Sequence, residues 1–409
     1  MLAWKNPAGA GIGAFADKVI GQRDFLSAFA GGPGAQPPVL SAAGMTLPAA
    51  VAVDSTGNLY VMDSGNNRIL RFPKPLEQTA EFVSPDLVIG QKTANSGRSA
   101  NQGQPKPTER TLSLLNGTTA GGSLIFDSNG NLWVADTFNH RVLRFPKAAL
   151  TGSEPQADLV LGQPAFTTND PANSGLDFDH RKALDGLYQP TTVAVDSQGA
   201  VYVGDGLLRV VYYASPATGG LASRVLGIQP LVAQGTPVAL PPTEFTLGQF
   251  ATSATTYIPL PPQCIFTAGT VVFVCDAIAH RIVRYNSPDQ WPAATVSAPS
   301  PPAVAVYGQD SLTAGVANRG AGASKPNGNT FNLPSGAAFL GSDLWVADAG
   351  NNRVVALPVA AGTFNVGTAS RVLGQATFDT NAPNLVEAKN CSSTTAAATM
   401  AVRSRWIRR

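Results

Sequence analysis

The stretch Val51-Ala-Val-Asp54-Ser-Thr-Gly57-Asn-Leu-Tyr60-Val-Met-Asp63-Ser-Gly-Asn-Asn-Arg68-Ile-Leu-Arg-Phe72 determines the fold of this chain of 409 residues. Apolar residues alternate with other residues before Asp54 and after Gly57, and a second short turn precedes the run that begins at Arg68. Alternation with a period of two, interrupted by short turns, is typical of antiparallel strands joined by hairpins. The stretch therefore predicts three consecutive antiparallel strands.

The pattern occurs five times along the chain. Further copies lie at Leu124–Phe145, Val193–Tyr213, Cys264–Tyr285 and Ala337–Leu357. The aspartate that ends the second strand stands at positions 63, 136, 205, 276 and 348, so successive copies are 73, 69, 71 and 72 residues apart. A fixed period of this kind indicates a repeat architecture.

A short Gly-Gln element accompanies the repeat and supplies a fourth strand to each unit. It stands at Val19–Gln22, Val88–Gln91, Val160–Gln163, Val225–Gln229, Val306–Gln309 and Val372–Gln375. Repeated four-stranded antiparallel units predict an all-β fold, the β-propeller, because no single blade can bury both of its faces before its neighbours stack on it.

The sequence around the recurring aspartate resembles the NHL repeat. The signature Asp-x-x-Asn-[Asn/His]-Arg-[Ile/Val], after a Gly-x-[Leu/Val]-[Tyr/Trp]-Val strand, is closest in copies one, two and five, and the resemblance covers residues 40 to 380. It implies a propeller of a family that mostly binds proteins and in some cases RNA. Related six-bladed propellers include lyases and calcium-dependent lactonases, so the resemblance leaves both binding and catalysis open.

The spacing of the copies is longer than that of common propeller blades, which have about 40–45 residues. The excess falls between the Arg-containing strand and the next first strand, in segments such as Thr93–Thr111, Gln229–Thr243 and Pro288–Pro302. Their Pro, Gly and Ser content predicts surface loops.

The number of blades follows from counting the two elements. There are six Gly-Gln elements but five aspartate-bearing copies, and Leu2–Pro7 resembles Leu70–Pro75, so the chain opens inside a repeat. Counted from Gly374, a sixth aspartate would fall at position 414 or later. We predict a six-bladed ring with an incomplete last blade, with a five-bladed ring as the alternative. Its missing strands are expected outside this chain, as in a fragment of a longer, exported protein.

The domain prediction is a single propeller over residues 1–390 and an irregular tail over residues 391–409.

Charged residues make up 13% of the chain, against about 25% in an ordinary soluble protein. The formal net charge is only +2, which argues against electrostatic capture of nucleic acid or anionic lipid. The chain has neither an apolar run of about 18 residues nor a signal peptide, which predicts a soluble protein that does not insert into membranes. Its compartment stays open, and is extracytoplasmic if the chain is a fragment.

The cysteines give no clear sign of the compartment. A hairpin turn near Ala268–Gly269 places Cys264 opposite Phe273 and leaves Cys275 only diagonally close. Diagonal neighbours are about 7–8 Å apart, too far for a relaxed disulfide. Both cysteines are therefore expected as small core residues.

An aspartate and an arginine recur together in every copy, and a structural role explains this best. The carboxylate can accept N–H groups of the turn and pair with the guanidinium, whereas a catalytic site needs one geometry at one place. The repeat signature residues are Asp63, Arg68, Asp136, Arg141, Asp205, Arg209, Asp276, Arg281, Asp348 and Arg353. We also expect turn roles for Asp54, Asp127 and Asp196, with a calcium site as the alternative.

The three histidines are the candidate metal ligands. His140 and His280 occupy the repeat position of Asn67 and Asn352, so a turn role is favoured, whereas His180 lies in a loop. Zinc needs at least three suitably placed ligands. We expect no cofactor, with calcium or zinc as the alternative.

Two further side-chain series share a repeat position. The aromatic residues Tyr60, Trp133, Tyr202, Phe273 and Trp345 are expected in the core between blades. Arg71, Arg144 and Arg284 would form a basic strip, but the low net charge argues against RNA binding.

The sequence lacks the common catalytic motifs, including the nucleophile elbow, the P-loop and the metalloprotease helix. We therefore predict a non-enzymatic platform that binds a protein or glycan partner through loops on one face. The alternative is a metal-dependent lyase or lactonase that uses the central cavity.

Overall fold

The computed structural model describes residues 1–9, 14–27, 42–80, 82–95, 98–173, 183–228, 241–253 and 256–383. The strands in these ranges are β1 (Leu2–Ala3), β2 (Lys18–Val19), β3 (Pro48–Val53), β4 (Leu59–Asp63), β5 (Arg68–Phe72), β6 (Leu87–Ile89), β7 (Leu115–Asn116), β8 (Thr119–Ala120), β9 (Ser123–Phe126), β10 (Leu132–Asp136), β11 (Arg141–Phe145), β12 (Leu159–Leu161), β13 (Thr192–Val195), β14 (Val201–Asp205), β15 (Arg209–Tyr213), β16 (Arg224–Leu226), β17 (Gln249–Ser253), β18 (Thr256–Leu260), β19 (Cys264–Ala268), β20 (Val271–Asp276), β21 (Arg281–Tyr285), β22 (Ala305–Tyr307), β23 (Pro334–Leu340), β24 (Asp343–Asp348), β25 (Arg353–Pro358) and β26 (Arg371–Leu373).

Helical structure in the same ranges is limited to short 3₁₀ turns. They span Pro7–Gly9, Ser64–Asn66, Ala100–Gly103, Thr137–Asn139, Lys147–Thr151, Pro171–Asn173, Pro288–Gln290, Ala317–Gly320 and Ala349–Asn351. None of the described helices is long and apolar enough to span a bilayer.

In the described part of the chain, five four-stranded antiparallel meanders form the blades of a β-propeller. In chain order they are β3–β6, β9–β12, β13–β16, β19–β22 and β23–β26. The first strands of successive blades contact one another from β3 to β23, which places them nearest the axis. The all-β propeller predicted from the repeat is confirmed.

The hydrophobic core lies between the blades. One cluster joins Met62 and Ile69 of blade one to Leu124 and Val134 of blade two, and similar clusters join the later pairs. Four members of the aromatic series lie in these clusters, and the fifth packs against Trp4 beside the β1–β2 sheet. All five are at most 3% exposed: Tyr60, Trp133, Tyr202, Phe273 and Trp345. The core role predicted for the series is therefore what the structure shows.

The predicted count of six blades is not supported, and the five-blade alternative is. Within the described residues, five copies carry the first and second strands of a blade. In the same part of the chain, the first Gly-Gln element contributes β2, which pairs with β1 in a two-stranded sheet. Leu2 lies opposite Val19 as Leu70 lies opposite Val88, in line with the resemblance between these segments.

The β1–β2 sheet lies between blade five and blade one. Trp4 packs against the cluster of Trp345 and Ala356 in blade five, whereas Ala3 packs against the cluster of Val61 in blade one. The predicted C-terminal tail, residues 391–409, lies outside the described residues.

The antiparallel blades have two faces, which differ in their loops. The connection face carries the turns between second and third strands and the passages from each fourth strand to the next blade; the opposite face carries the remaining turns and loops. The four passages between successive blades have 26 to 37 residues, whereas the loops between third and fourth strands have 10 to 19. Most of the excess length therefore lies on the connection face, where two passages form the hairpins β7–β8 and β17–β18.

The structure corrects the prediction for the cysteines. Ala268 pairs with Val271, so the turn is Gly269-Thr270 and Cys264 lies directly opposite Cys275. Their Cα atoms are 4.9 Å apart and the two residues form a disulfide. The predicted turn was displaced by one residue, and this shift changed which residues face each other.

Candidate functional site

Each blade contains a buried ion pair at its connection face. The aspartate is the last residue of the second strand, the arginine is the first residue of the third strand, and the two lie opposite each other in the sheet. Their side chains are at most 1% exposed. The N–O distances are 2.7 Å for Asp63–Arg68, 2.7 Å for Asp136–Arg141, 3.1 Å for Asp205–Arg209, 2.9 Å for Asp276–Arg281 and 2.7 Å for Asp348–Arg353.

The pair in blade two shows how these residues hold the connection face. Asp136 accepts hydrogen bonds from the backbone N–H of Ser113, from the Asn139 amide and from Arg141 Nε, at 2.7, 2.8 and 2.7 Å. Arg141 also donates to the carbonyl oxygens of Phe166, Thr108 and Thr111. The pair therefore fixes the passage that enters the blade and the passage that leaves it.

Burial raises the pKa of the carboxyl groups of Asp63, Asp136, Asp205 and Asp348, and the charge of the paired arginine opposes this rise. The carboxylate oxygens accept hydrogen bonds from the turn, the guanidinium and the passage entering the blade. The geometry thus supports the scaffold interpretation of these residues.

In blades one, two and four, the residue before the arginine links the blade to the next. Asn67, His140, His280 and Asn352 have φ angles of 51° to 55°, the left-handed conformation that Asn and His tolerate better than most residues. Asn67 Oδ1 accepts the N–H of Leu114 at 2.6 Å. His140 Nδ1 accepts the N–H of Gln189 and His280 Nδ1 that of Leu333, each at 3.1 Å. Asn and His interchange here because both offer an acceptor to the next blade.

The glutamine of the Gly-Gln element completes this link. The amides of Gln91, Gln163, Gln309 and Gln375 donate to the carbonyl oxygens of Asn67, His140, His280 and Asn352, respectively. The conspicuous polar residues of the repeat therefore form one bonded network in each of these blades.

The histidines occupy structural positions where the structure describes them. Burial lowers the pKa of His140 to about 4 and lowers that of His280, which keeps both rings neutral and able to accept through Nδ1. His180 lies outside the described residues. Within the described ranges, no three His, Cys, Asp or Glu side chains converge as a metal site would require.

The aspartates that follow the first strands act in turns. Asp54 Oδ1 accepts the N–H groups of Thr56 and Asn58, at 2.9 and 3.0 Å. Asp127 and Asp196 make the same two bonds to the residues two and four positions later. Each carboxylate stabilises its own turn, as the sequence predicts.

The connection face also carries apolar side chains that no blade buries. Leu47 and Leu333 stand at the entry to the first strands of blades one and five, with 43% and 41% of their surfaces exposed. Leu26, Phe245 and Val316 are exposed in passages on the same face. The sequence offers one signal for Leu47 and Leu333, which each precede a proline at the start of a first strand, whereas Leu26, Phe245 and Val316 lie in passages that do not repeat between copies.

Comparisons with known proteins agree with the repeat assignment. Residues 45–72 match the NHL repeat family. No curated protein sequence matches the chain. The fold and this match together define a β-propeller that contains an NHL repeat, as the resemblance in the sequence indicates.

Several solved structures are similar in architecture at low sequence identity. A periplasmic gluconolactonase of Pseudomonas aeruginosa is 13% identical, with 82% of this chain and 72% of that chain covered and a TM-score of 0.43. Virginiamycin B lyase of Staphylococcus aureus is 12% identical, with 78% and 84% covered and a TM-score of 0.35. A nidogen/laminin complex is 11% identical, with 80% and 83% covered and a TM-score of 0.35. Because these proteins include both enzymes and a binding complex, and the similarity is low, they do not determine the activity of this chain.

Proposed function

We propose that the protein is a non-enzymatic binding platform and that its connection face holds a protein partner. The observation that carries this proposal is the pair of exposed leucines at equivalent positions, Leu47 and Leu333. Both have positive φ angles, 50° and 52°, and both precede a proline.

A leucine is an unfavourable residue for this backbone position. The left-handed conformation costs a bulky residue about 1–3 kcal/mol, whereas Asn or Gly adopts it more readily. The scaffold holds the backbone of Leu333 through the hydrogen bond from its N–H to His280, which does not depend on the side chain. Because Asn or Gly would suit this backbone better, we attribute the exposed part of each leucine side chain to contact with a partner.

The chemistry of the face favours a protein over a glycan. Its exposed large apolar side chains are mainly aliphatic, namely Leu26, Leu47, Val316 and Leu333, with Phe245 as the aromatic member. Glycans are held mainly by aromatic rings and polar groups, whereas aliphatic anchors with few charges suit the apolar centre of a protein interface. A net charge of +2 adds no electrostatic preference.

The disulfide supports an extracytoplasmic location. Cys264 and Cys275 are bonded in the first two strands of blade four and are at most 2% exposed. Structural disulfides form and persist in oxidising compartments. We therefore propose that the protein works outside the reducing cytoplasm.

The alternative is a lyase or lactonase that uses calcium or zinc. The described signature aspartates and histidines already hold turns and blades, which favours a platform that needs no metal. Elemental analysis of the purified protein, with melting curves in EDTA, separates the two functions. Stoichiometric calcium or zinc, together with a lower melting temperature after chelation, would establish the alternative.

Asparagine substitutions test the platform directly. Leu47→Asn and Leu333→Asn remove the apolar side chain and fit the left-handed backbone better, so the double variant should melt at or above the wild-type temperature. It should lose most of the partner that wild-type protein captures from an extract of the source organism. The matched control is Leu221→Asn, which removes a leucine that is 68% exposed on the opposite face. Equal capture by wild type and the double variant would refute this face as the binding surface.

A further inference from the structure

One arginine of the basic strip differs from its two equivalents in the repeat. In blade one, Arg71 Nε and Nη2 donate to the two carboxylate oxygens of Asp86 at 2.7 and 3.0 Å. In blade two, Arg144 makes the same forked contact with Asp158 at 2.8 and 2.9 Å. Each aspartate directly precedes the fourth strand, which puts it beside the arginine.

Blade four keeps the arginine but replaces the aspartate with a valine. The N–H of Val304 donates to the carbonyl oxygen of Arg284 at 2.7 Å, as the N–H of Asp86 donates to that of Arg71. Among the described residues no carboxylate pairs with Arg284, and the Tyr307 hydroxyl is a polar neighbour of its guanidinium. Unlike Arg71 and Arg144, Arg284 therefore keeps a positive charge that no carboxylate among the described residues neutralises.

Aromatic rings surround this guanidinium at the boundary of blades four and five. Arg284 lies over the ring of Phe364, 5.4 Å from its centroid. Phe364 in turn contacts Phe273 and Phe339, with ring centroids 5.3 and 6.1 Å apart. The Tyr307 hydroxyl donates to the carbonyl oxygen of Phe364 at 2.9 Å and fixes the loop that carries the ring.

The site is open to solvent. Arg284 and Phe364 are each partly buried, and the backbone around both residues is held by the blades. Val304 occupies the position that Asp86 and Asp158 hold in their blades. It is 41% exposed, so this position lies at the surface. A carboxylate approaching from the opposite face therefore reaches a positive charge set against apolar rings, where exclusion of water strengthens the attraction.

We propose that Arg284 binds the carboxylate of a ligand that carries an aromatic group, with Phe364 and Phe339 forming the apolar wall. The ligand is either a free aryl carboxylic acid or a peptide that ends in an aromatic residue with a free carboxylate. The site lies on the opposite face, so it is independent of the connection face proposed above.

Binding of 3-phenylpropionate to the full chain, measured by calorimetry, tests the proposal. We expect saturable binding to the wild type that the neutral amide, 3-phenylpropionamide, does not reproduce. Arg284→Met should weaken it at least tenfold, whereas Arg144→Met, which removes an arginine already paired with Asp158, should not. Equal binding of the amide, or no saturable binding to the wild type, would overturn the proposal.

Val304→Asp supplies a decisive second variant in case Arg284→Met does not fold. It recreates the ion pair of blades one and two, so it should raise the melting temperature and abolish binding of 3-phenylpropionate. Unchanged affinity in this variant would contradict the site. The peptide acetyl-Gly-Gly-Phe separates the two sources: tighter binding than 3-phenylpropionate indicates a peptide C-terminus, and weaker binding indicates a free acid.

Discussion

Replacing Asp136 with alanine tests the interpretation of the ion pairs as scaffold. The variant removes the acceptor for Ser113 N–H and the Asn139 amide and leaves the fully buried Arg141 without a counter-charge. Removing one partner of a buried pair costs about 3–5 kcal/mol. This is a large part of the stability of a typical protein, about 5–15 kcal/mol.

The cost should be measured by urea unfolding in a double-mutant cycle. We expect Asp136→Ala and Arg141→Met each to lower the free energy of unfolding strongly, and the double variant to cost about 2 kcal/mol less than their sum, because it no longer buries a lone charge. The control is Asp86→Ala, whose carboxylate is 45% exposed and pairs with Arg71, with an expected cost below about 1 kcal/mol. Additive costs, or an Asp136→Ala variant as stable as Asp86→Ala, would refute the reasoning.

Three further predictions concern stability. His140 has a folded pKa of about 4, below the ordinary value of 6.5, so the unfolded chain takes up the proton first and about 3 kcal/mol of stability should be lost as the pH falls from 6.5 to 4. His140→Asn keeps an acceptor and should reduce this loss of stability, measured by melting curves at several pH values between 6.5 and 4. An unchanged loss would contradict the assignment. Replacing both Cys264 and Cys275 with alanine should cost about 2–4 kcal/mol, and dithiothreitol should lower the melting temperature of the wild type but not of this variant. Gly162→Ala should cost about 2–4 kcal/mol, because φ is +80° and the new Cβ would lie 2.5 Å from Leu187; Gly199→Ala has a φ of +89° with open space and should cost only about 1 kcal/mol, so equal costs would show that crowding plays no part.

The sequence was sufficient to predict the blade, because each of its strands has a local sequence pattern. Alternation between Val51 and Phe72 and the turns that interrupt it specify a meander, and the copies share these features. The exchange of Asn67 for His140 predicts a turn role, and both residues have a positive φ angle after a short 3₁₀ turn. The hydrogen-bond partner across the blade boundary, Leu114, lies 47 residues away in a passage without a repeat pattern, so the link between blades could not be predicted.

Two predictions failed for identifiable reasons. The count of six blades treated every Gly-Gln element as the mark of a blade, whereas the strand of the first element forms, in the part of the chain that the structure describes, a two-stranded sheet with Leu2–Ala3. The cysteine prediction placed the turn at Ala268–Gly269. This error of one residue placed Cys264 opposite Phe273, whereas in the structure it lies opposite Cys275. Register depends on the geometry of the turn, which composition specifies only weakly.

The most direct test of the proposed function compares partner affinity with stability in two variants. Once a partner has been captured, its dissociation constant should rise at least tenfold for Leu47→Asn/Leu333→Asn at an unchanged melting temperature. Asp136→Asn should lower the melting temperature while the dissociation constant, measured where the variant is folded, stays that of the wild type. An Asp136→Asn variant that melts like the wild type but no longer binds, together with a leucine double variant that still binds, would contradict the account.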